Sequence, residues 1–523
     1  MSVKKRDLII WIIFCCAVFA GVCIFLFKYH PVELFDTDDW TYLSFTRQSR
    51  LLPSKNEWNP ARILPENLMP LAGYIGKALF IRTGGFYDAV VNGMNLVLAV
   101  FICAYVALCT RMIGKKYTVD SVSSVVIGLF IAFVNFIPFL KGDDNYSHFF
   151  YESNSCSVFY YTIPVLLNAI VICLTMIHEE YIRHFFRKGH IVCKIVYLIM
   201  IYFAVYSNLY TSIVIAAFAA IKIIQYVFVE IRDLTTDLMD KFIQCSVYIY
   251  TLILWLVSMI FEVSGGRAGM FSEVRYDLPG AFKAYMTAFI NKSIVFNVII
   301  AASFVFYVFM LIKVLRDKDR YLTPLRERLK STSKKKRDKI RMDESDELLF
   351  SYVNHASLWM LCALLTSAFL ILLSAKTGFV YLERSSVQFD FFFFLLLNVF
   401  HIMAYLVKSQ NKSVYAIAAV VVLIAGVAVL GKGSYREYSF IDLSNDNCRA
   451  LANFIVQQYT DADKSGAETV QIHVPEFKTG DNFPIANYGN MRIAGTLYNY
   501  GITKRFVNSE FIIDSSVNEK FGL

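Results

Sequence analysis

Apolar stretches of about 20 residues recur along almost the whole chain, and a stretch of that length can cross a bilayer as a helix. They are residues 8–28, 88–110, 121–140, 158–177, 191–207, 209–229, 242–262, 293–314, 355–375, 388–407 and 413–431. The chain is 57% hydrophobic and only 18% charged, whereas soluble proteins carry about 25% charged residues. The sequence therefore predicts an all-α polytopic membrane protein with about eleven transmembrane helices.

The basic residues cluster on one side of these predicted spans. The net charge is +9, and residues 313–341 alone contain thirteen Lys or Arg against four Asp or Glu. Because basic loops remain in the cytoplasm, we expect a multi-pass protein of the cell membrane, with the N-terminus and the basic loop 315–350 inside. The position of the basic loop favours contact with membrane lipid and gives no reason to predict nucleic-acid binding.

The character of the chain changes after the last apolar stretch. Residues 446–459 and 490–500 have helical patterns, and residues 469–474 alternate as a strand does. We therefore divide the chain into a transmembrane domain, 1–431, and a small α/β domain, 432–523. With an odd number of spans, the second domain lies outside the cytoplasm.

The first predicted outer loop, residues 29–87, is too polar to cross the membrane. Its residues 63–80 are partly apolar and contain Pro65 and Pro70. An amphipathic helix lies at the membrane surface. Proline inside a helix interrupts it, which argues against a regular membrane span here. The sequence predicts an interfacial helix at this place.

Three carboxylates, Asp36, Asp38 and Asp39, follow the first span closely. Crowded acids repel one another, which raises the pKa of one of them and suits it to act as a general base near neutral pH. The same oxygens could hold a divalent cation, or they could belong to an ordinary hydrated loop. Which of the three acids is the base stays open.

Further polar residues of the predicted outer segments, together with Asp36 and Glu66, are candidates for substrate binding. Arg62 has a fork of donors that matches a phosphate, although it could simply pair with Glu66 four residues later. Asp143 and Asp144 could form a second polar wall or a solvated loop. Arg384, near another predicted membrane boundary, is a second candidate phosphate ligand.

Several functions are disfavoured by what the sequence lacks. It contains no P-loop, no GxGxxG after a strand, no HExxH and no GxSxG. The predicted spans carry few charged residues, whereas coupled transporters keep acids deep in the membrane.

With these features the chain resembles the GT-C glycosyltransferases. These enzymes have a basic N-terminus in the cytoplasm, then one membrane span, and then an outer loop with an acidic motif. Asp38-Asp39-Trp40, Arg62 and Arg384 carry the specific part of the likeness. Within that class the chain is most similar to bacterial Gtr-type glucosyltransferases. The resemblance implies a polyprenyl-phosphate-linked sugar donor and a glycan or cell-wall polymer as acceptor outside the membrane.

The resemblance also implies a mechanism. Asp38 or Asp39 would deprotonate the acceptor hydroxyl, and the hydroxyl would displace the lipid phosphate with inversion. Arg62 and Arg384 would stabilise the phosphate, and no metal would be needed. A flippase or transporter, or a polymerase of lipid-linked saccharides, remains an alternative. The sequence leaves open which sugar moves and whether a small membrane partner supplies the donor.

Overall fold

The computed structural model describes most of the chain. The described residues are 3–34, 37–44, 46–47, 50–136, 148–150, 152, 154–187, 189–229, 238–271, 273–321, 343–409, 445–476 and 490–523. The helices of the first 320 residues are α1 (Val3–Ile24), α2 (Thr37–Leu43), α3 (Ile63–Phe80), α4 (Phe86–Tyr117), α5 (Ser121–Val134), α6 (Ser155–Ile177), α7 (Glu179–Arg183), α8 (Ile191–Val205), α9 (Leu209–Ile224), α10 (Leu238–Ser264), α11 (Leu278–Ile290) and α12 (Ile294–Arg316). The later elements are α13 (Glu344–Thr377), α14 (Val380–Glu383), α15 (Ser385–Lys408), α16 (Asn445–Ser465), β1 (Thr469–Val474), α17 (Asn490–Asn499) and β2 (Asn508–Ile513).

Within the described residues, eight helices are long and apolar enough to cross a membrane. They are α1, α4, α6, α9, α10, α12, α13 and α15. The protein is thus a predominantly helical membrane protein, as the sequence indicates. Two more predicted spans correspond to the shorter apolar helices α5 and α8. The eleventh, 413–431, lies outside the described residues.

Short polar residues set several helix boundaries. The carboxylate of Asp120 accepts hydrogen bonds from two backbone N–H groups in the first turn of α5. The side chain of Asn208 accepts one from Tyr210 and separates α8 from α9, as predicted for this region. Asn154 caps the start of α6 in the same way. Each cap satisfies a backbone donor that has no partner within the helix.

Contacts between helix ends define two sides of the helical layer. On one side, which we call the Asp39 side, Arg384 before α15 contacts Ser157 in the first turn of α6. On the other, the Glu179 side, Glu179 just after α6 binds Lys116 near the end of α4. The core between them is rich in phenylalanine, including Phe391–Phe394 of α15. The two sides therefore differ mainly in their polar residues.

A helix over the predicted residues 63–80 is confirmed as α3, but it continues through Pro70 and is not interrupted there. It packs closely against α4, because Gly76 of α3 faces Gly93 of α4. A Cβ atom on either glycine would overlap backbone atoms of the other helix. This close approach holds α3, and the loop before it, against the ends of the membrane helices.

The C-terminal residues form the predicted combination of helix and strand. Helix α16 and strand β1 are confirmed, and α17 matches the second predicted helix. A second strand, β2, was not predicted; it pairs with β1 in parallel, from Thr469 opposite Asn508 to Val474 opposite Ile513. We call the described residues 445–476 and 490–523 the C-terminal unit. It packs on the Asp39 side, with α17 against α2.

Candidate active site

Helix α2 presents Asp38 and Asp39 in its first turn. The side chain of Asp38 is exposed, whereas Asp39 is fully buried. The Oδ1 atom of Asp39 accepts a hydrogen bond of 2.5 Å from the backbone N–H of Cys156. That N–H group lies in the first turn of α6, where a helix favours a negative charge. Asp39 is therefore fixed to the helical layer, whereas Asp38 is the solvent-exposed acid of the pair.

The loop between α2 and α3 is held by a buried ion pair that the sequence did not reveal. Arg47 lies 2.6 Å from Glu66, and it also donates to the backbone carbonyls of Asn59 and Pro60. Asn59 and Tyr160 donate to the other oxygen of Glu66. Burial raises the pKa of Glu66, although Arg47 opposes the shift. Both oxygens of this predicted substrate ligand are thus occupied by protein donors.

Arg62 does not form the predicted pair with Glu66. Its side chain is buried, and its Nε atom has no hydrogen-bond partner among the described residues. The nearest carboxylate among the described residues is that of Glu262 at the end of α10, 3.9 Å away, and the guanidinium lies 5.5 Å from the ring of Tyr160. Burial alone would lower the pKa of Arg62, but Glu262 and nearby tyrosines raise it. Within the described part of the chain, Arg62 is thus a buried cation whose Nε–H group has no acceptor and is suited to bind an anion.

Arg384 approaches the same region from the start of α15. Its Nη1 atom donates to Ser157 at 2.7 Å and to Glu152 at 3.2 Å. The guanidinium lies over the ring of Tyr161, 4.6 Å from its centroid. Its Nε atom is buried without a hydrogen-bond partner in the part of the chain described. Burial would lower the pKa of Arg384, but Glu152 raises it.

A third arginine, Arg267, completes this group and was missed by sequence reasoning. It follows α10 and donates to Asn59 at 3.3 Å and to the hydroxyl of Tyr381 at 3.1 Å. The Tyr381 ring stacks on Tyr210 at 4.9 Å and lies 6.4 Å from Tyr161. Three arginines thus meet around a wall of tyrosines, which has apolar faces and hydroxyl groups. We call this group the arginine–tyrosine cluster; it consists of Arg62, Arg267, Arg384, Tyr160, Tyr161 and Tyr381.

The acids of α2 lie beside the arginine–tyrosine cluster. The Asp39 carboxylate binds Cys156, the residue before Ser157, and Ser157 in turn binds Arg384. Tyr42 of α2 packs against Tyr160, with ring centroids 5.0 Å apart. The structure therefore brings Asp38, Asp39 and both predicted arginines to one end of α6.

Other predicted residues are not placed. Asp36, Asp143 and Asp144 lie outside the described residues. Where the structure describes the chain, no three His, Cys, Asp or Glu side chains are grouped so that they could hold a metal ion. The described site is thus made of two α2 acids, three arginines and their tyrosine neighbours.

Comparison with models of protein families and with curated proteins finds no match to this chain. Any functional assignment must therefore be built from the residues of the site and their geometry. The buried, incompletely paired arginines beside an exposed carboxylate are its most informative feature.

Proposed function

We propose that the protein is a membrane glycosyltransferase that moves a sugar from a polyprenyl-phosphate donor to a glycan or cell-surface polymer. The observation that carries the proposal is the convergence of Asp38 and Asp39 with Arg62, Arg267 and Arg384 at one end of the helical layer. A carboxylate beside a buried cationic cluster suits a reaction that removes a proton at one point and releases phosphate at another.

Asp38 is the better candidate for the base, because it is exposed while Asp39 is buried against α6. In the proposed reaction Asp38 takes the proton of the acceptor hydroxyl. The hydroxyl oxygen forms a bond to the anomeric carbon as the bond from that carbon to the phosphate oxygen breaks. The configuration at the carbon inverts, and the lipid phosphate leaves with both bonding electrons.

Arg62 and Arg384 suit the leaving phosphate. Each is buried or largely buried, and each has an Nε–H group that makes no hydrogen bond to described residues. A guanidinium matches two phosphate oxygens in a plane, and its charge is effective where water is excluded. Arg267, held by Asn59 and Tyr381, is a third donor for the same anion. These residues bind the donor in its ground state as well as the transition state.

The position of the site suits a substrate that is anchored in lipid. The wall of the cluster is formed by the ends of α6, α10 and the residues before α15, while α3 lies beside it. Exposed apolar side chains, including Val263, Ile260 and Met270, lie near this end of α10. A polyprenyl chain could therefore remain in the bilayer while its phosphate reaches the arginines.

The proposed topology places this site outside the cytoplasm. Helix α15 runs from Arg384 on the Asp39 side to Lys408 on the other, yet the C-terminal unit packs on the Asp39 side. The segment that joins them, 410–444, lies outside the described residues and contains the predicted eleventh span. Eleven crossings, with the N-terminus in the cytoplasm, are consistent with both the contacts and the basic loops.

One observation favours a flippase or transporter. Asp390 of α15 is fully buried, and neither oxygen of its carboxylate has a hydrogen-bond partner among the described residues. It lies within a predicted span and was overlooked in the sequence. Acids inside membrane helices often mark a transport pathway. A single such residue is a weaker basis than the grouped acids and arginines, so transfer remains our proposal.

A panel of labelled polyprenyl-phosphate sugars tests the proposal. Membranes that contain the protein should transfer label from at least one donor to a polymer, and membranes without it should not. Transfer should continue with a chelator present, as expected for a reaction without metal. Transbilayer movement of the donor with no new glycosidic bond would instead support the flippase.

A further inference from the structure

The C-terminal unit contacts the backbone of the helix that carries both acids. The Oγ1 atom of Thr496, on α17, donates to the carbonyl oxygen of Trp40 at 2.7 Å. The hydroxyl of Tyr500, just after α17, donates to the carbonyl oxygen of Leu43 at 3.2 Å. Carbonyls in the last turn of a helix have no partners within it. Helix α2 has only seven residues, and the side chains of Thr496 and Tyr500 supply hydrogen-bond donors to two of its carbonyls.

Tyr500 is itself held firmly. Its hydroxyl lies close to the carbonyl oxygen of Pro70, at 3.0 Å, and its ring stacks on Tyr74 at 4.3 Å. A Cβ atom at Gly73 would overlap the hydroxyl, so glycine leaves the space that the tyrosine occupies. Lys77 donates to the backbone carbonyl of Tyr500. Tyr500 therefore joins α2 to α3 through a fully buried contact.

A second contact joins the C-terminal unit to the first turn of α6, which donates a hydrogen bond to Asp39. Arg449 of α16 lies 2.7 Å from the buried carboxylate of Glu33. The backbone carbonyl of Glu33 accepts from the N–H and the hydroxyl of Ser155, at 3.0 and 2.7 Å. Ser155 precedes Cys156, whose N–H group binds Asp39. The helix that carries Asp39 and the first turn of α6, which donates to it, are thus both tied to the C-terminal unit.

We propose that the C-terminal unit holds α2 in its working orientation, with Tyr500 and Thr496 as positioning residues for Asp38 and Asp39. The inference rests on the proposed function, because it concerns the same acids. Neither Tyr500 nor Thr496 touches the reacting atoms. They fix a helix of only seven residues, which must place a carboxylate within hydrogen-bond reach of an acceptor.

The test is Tyr500→Phe, which removes the hydroxyl that contacts the carbonyl oxygens of Leu43 and Pro70 and keeps the ring on Tyr74. Tyr459→Phe is the matched control, since it removes a buried hydroxyl bond to Ser509 inside the C-terminal unit. We expect Tyr500→Phe to lower kcat about tenfold with the donor KM changed less than about twofold, because misplacement affects the chemical step. Tyr459→Phe should leave kcat within about twofold of the parent.

Hydrogen exchange of the intact protein gives a readout that does not depend on turnover. Amides of residues 38–44 should exchange about tenfold faster in Tyr500→Phe than in Tyr459→Phe, because the end of α2 is released. Thr496→Val should show the same effect to a smaller degree, and it serves if Tyr500→Phe does not fold.

Equal kcat and equal exchange in the two tyrosine variants would overturn the positioning role. If the parent transferred no sugar from any donor, the proposed function would fail, and the exchange result would still decide whether the C-terminal unit holds α2.

Discussion

The two sides of the helical layer treat buried charge in opposite ways. On the Glu179 side, one carboxylate binds Lys222 at 2.6 Å and Lys116 at 2.7 Å, with Arg183 at 3.9 Å. On the Asp39 side, Arg62 is buried, and the nearest carboxylate among the described residues lies 3.9 Å away. Removing one partner from a completed buried ion network destabilises the fold, whereas buried donors without partners carry a cost unless a ligand satisfies them. The difference separates a structural cluster from a site that is suited to bind an anion.

Protonation distinguishes the same two regions. Burial would raise the pKa of Glu179, but Lys222 and Lys116 lower it below its ordinary value. Burial raises the pKa of Glu152 on the Asp39 side, and Arg384 only partly opposes this. The cations around Glu179 thus compensate its burial fully. Arg384 beside Glu152 does not compensate the burial of that acid fully.

The largest effect that would sharpen this comparison is on stability. Glu179→Gln leaves Lys222 buried without its anion, and breaking such a pair should reduce the free energy of unfolding by about 3 kcal/mol. Sugar transfer per folded molecule should stay close to that of the parent. Thermal unfolding in detergent checks the first result and a transfer assay the second. Unchanged stability with lost transfer would move the functional site to the Glu179 side.

Removing Arg62 on the Asp39 side should have the opposite effect: donor binding should weaken, and stability should stay nearly unchanged. Arg62→Ala should raise the donor KM at least tenfold, because a hydrogen bond to a charged group contributes about 1.5–3 kcal/mol. The free energy of unfolding should change by less than about 1 kcal/mol, since Glu262, the nearest described carboxylate, lies 3.9 Å away and makes no hydrogen bond to Arg62 through Nε. Donor titrations and thermal unfolding measure the two quantities. A large loss of stability with an unchanged KM would make Arg62 structural.

The pH dependence of the Glu179 contribution gives a smaller effect. Because the folded-state pKa is lowered, the contribution is fully present above the unfolded pKa, near 4.5, and is lost only as pH falls through the folded value. The difference in unfolding temperature between the parent and Glu179→Gln should therefore be the same at pH 7 and pH 5.5. A difference that shrinks by pH 5.5 would show that the carboxylate is not held by the lysines.

The smallest expected effect concerns Asp390, which tests the transport alternative. Asp390→Asn keeps the size of the side chain and removes its ability to ionise. A transferase whose chemistry lies on the Asp39 side should retain kcat within about threefold. Abolished donor movement across the bilayer, with intact transfer from donor already outside, would assign Asp390 to a transport step.

Much of the fold could be predicted because it depends on local patterns. Helix α3 has the predicted bounds, since its apolar residues, Pro70 and the preceding polar loop all lie within one short segment. Asn208 separates α8 from α9 for a similarly local reason. Strand β2 was missed because residues 508–513 begin with polar residues and end with three apolar ones, so they do not alternate.

The site could be predicted only in part, because its members are distant in sequence. Asp38, Asp39, Arg62 and Arg384 were proposed from residue type and place, and the structure brings them together. No local signal links Arg267 to Asn59, which are 208 residues apart. Nothing in the spacing distinguished Arg47 as the partner of Glu66, since the alternative at i+4 was equally reasonable. Partner choice in a buried site follows from packing between helices.

The most direct test of the account is the single-turnover rate of sugar transfer by Asp38→Asn. The account predicts a loss of about 10²–10⁴-fold, the usual contribution of a general base, with donor binding retained. Glu57→Gln is the matched control, because Glu57 is an acid of the same loop that pairs with Arg50 at 3.5 Å, and it should transfer at the parent rate. Transfer by Asp38→Asn at close to the parent rate would contradict the claim that the α2 acids perform the reaction.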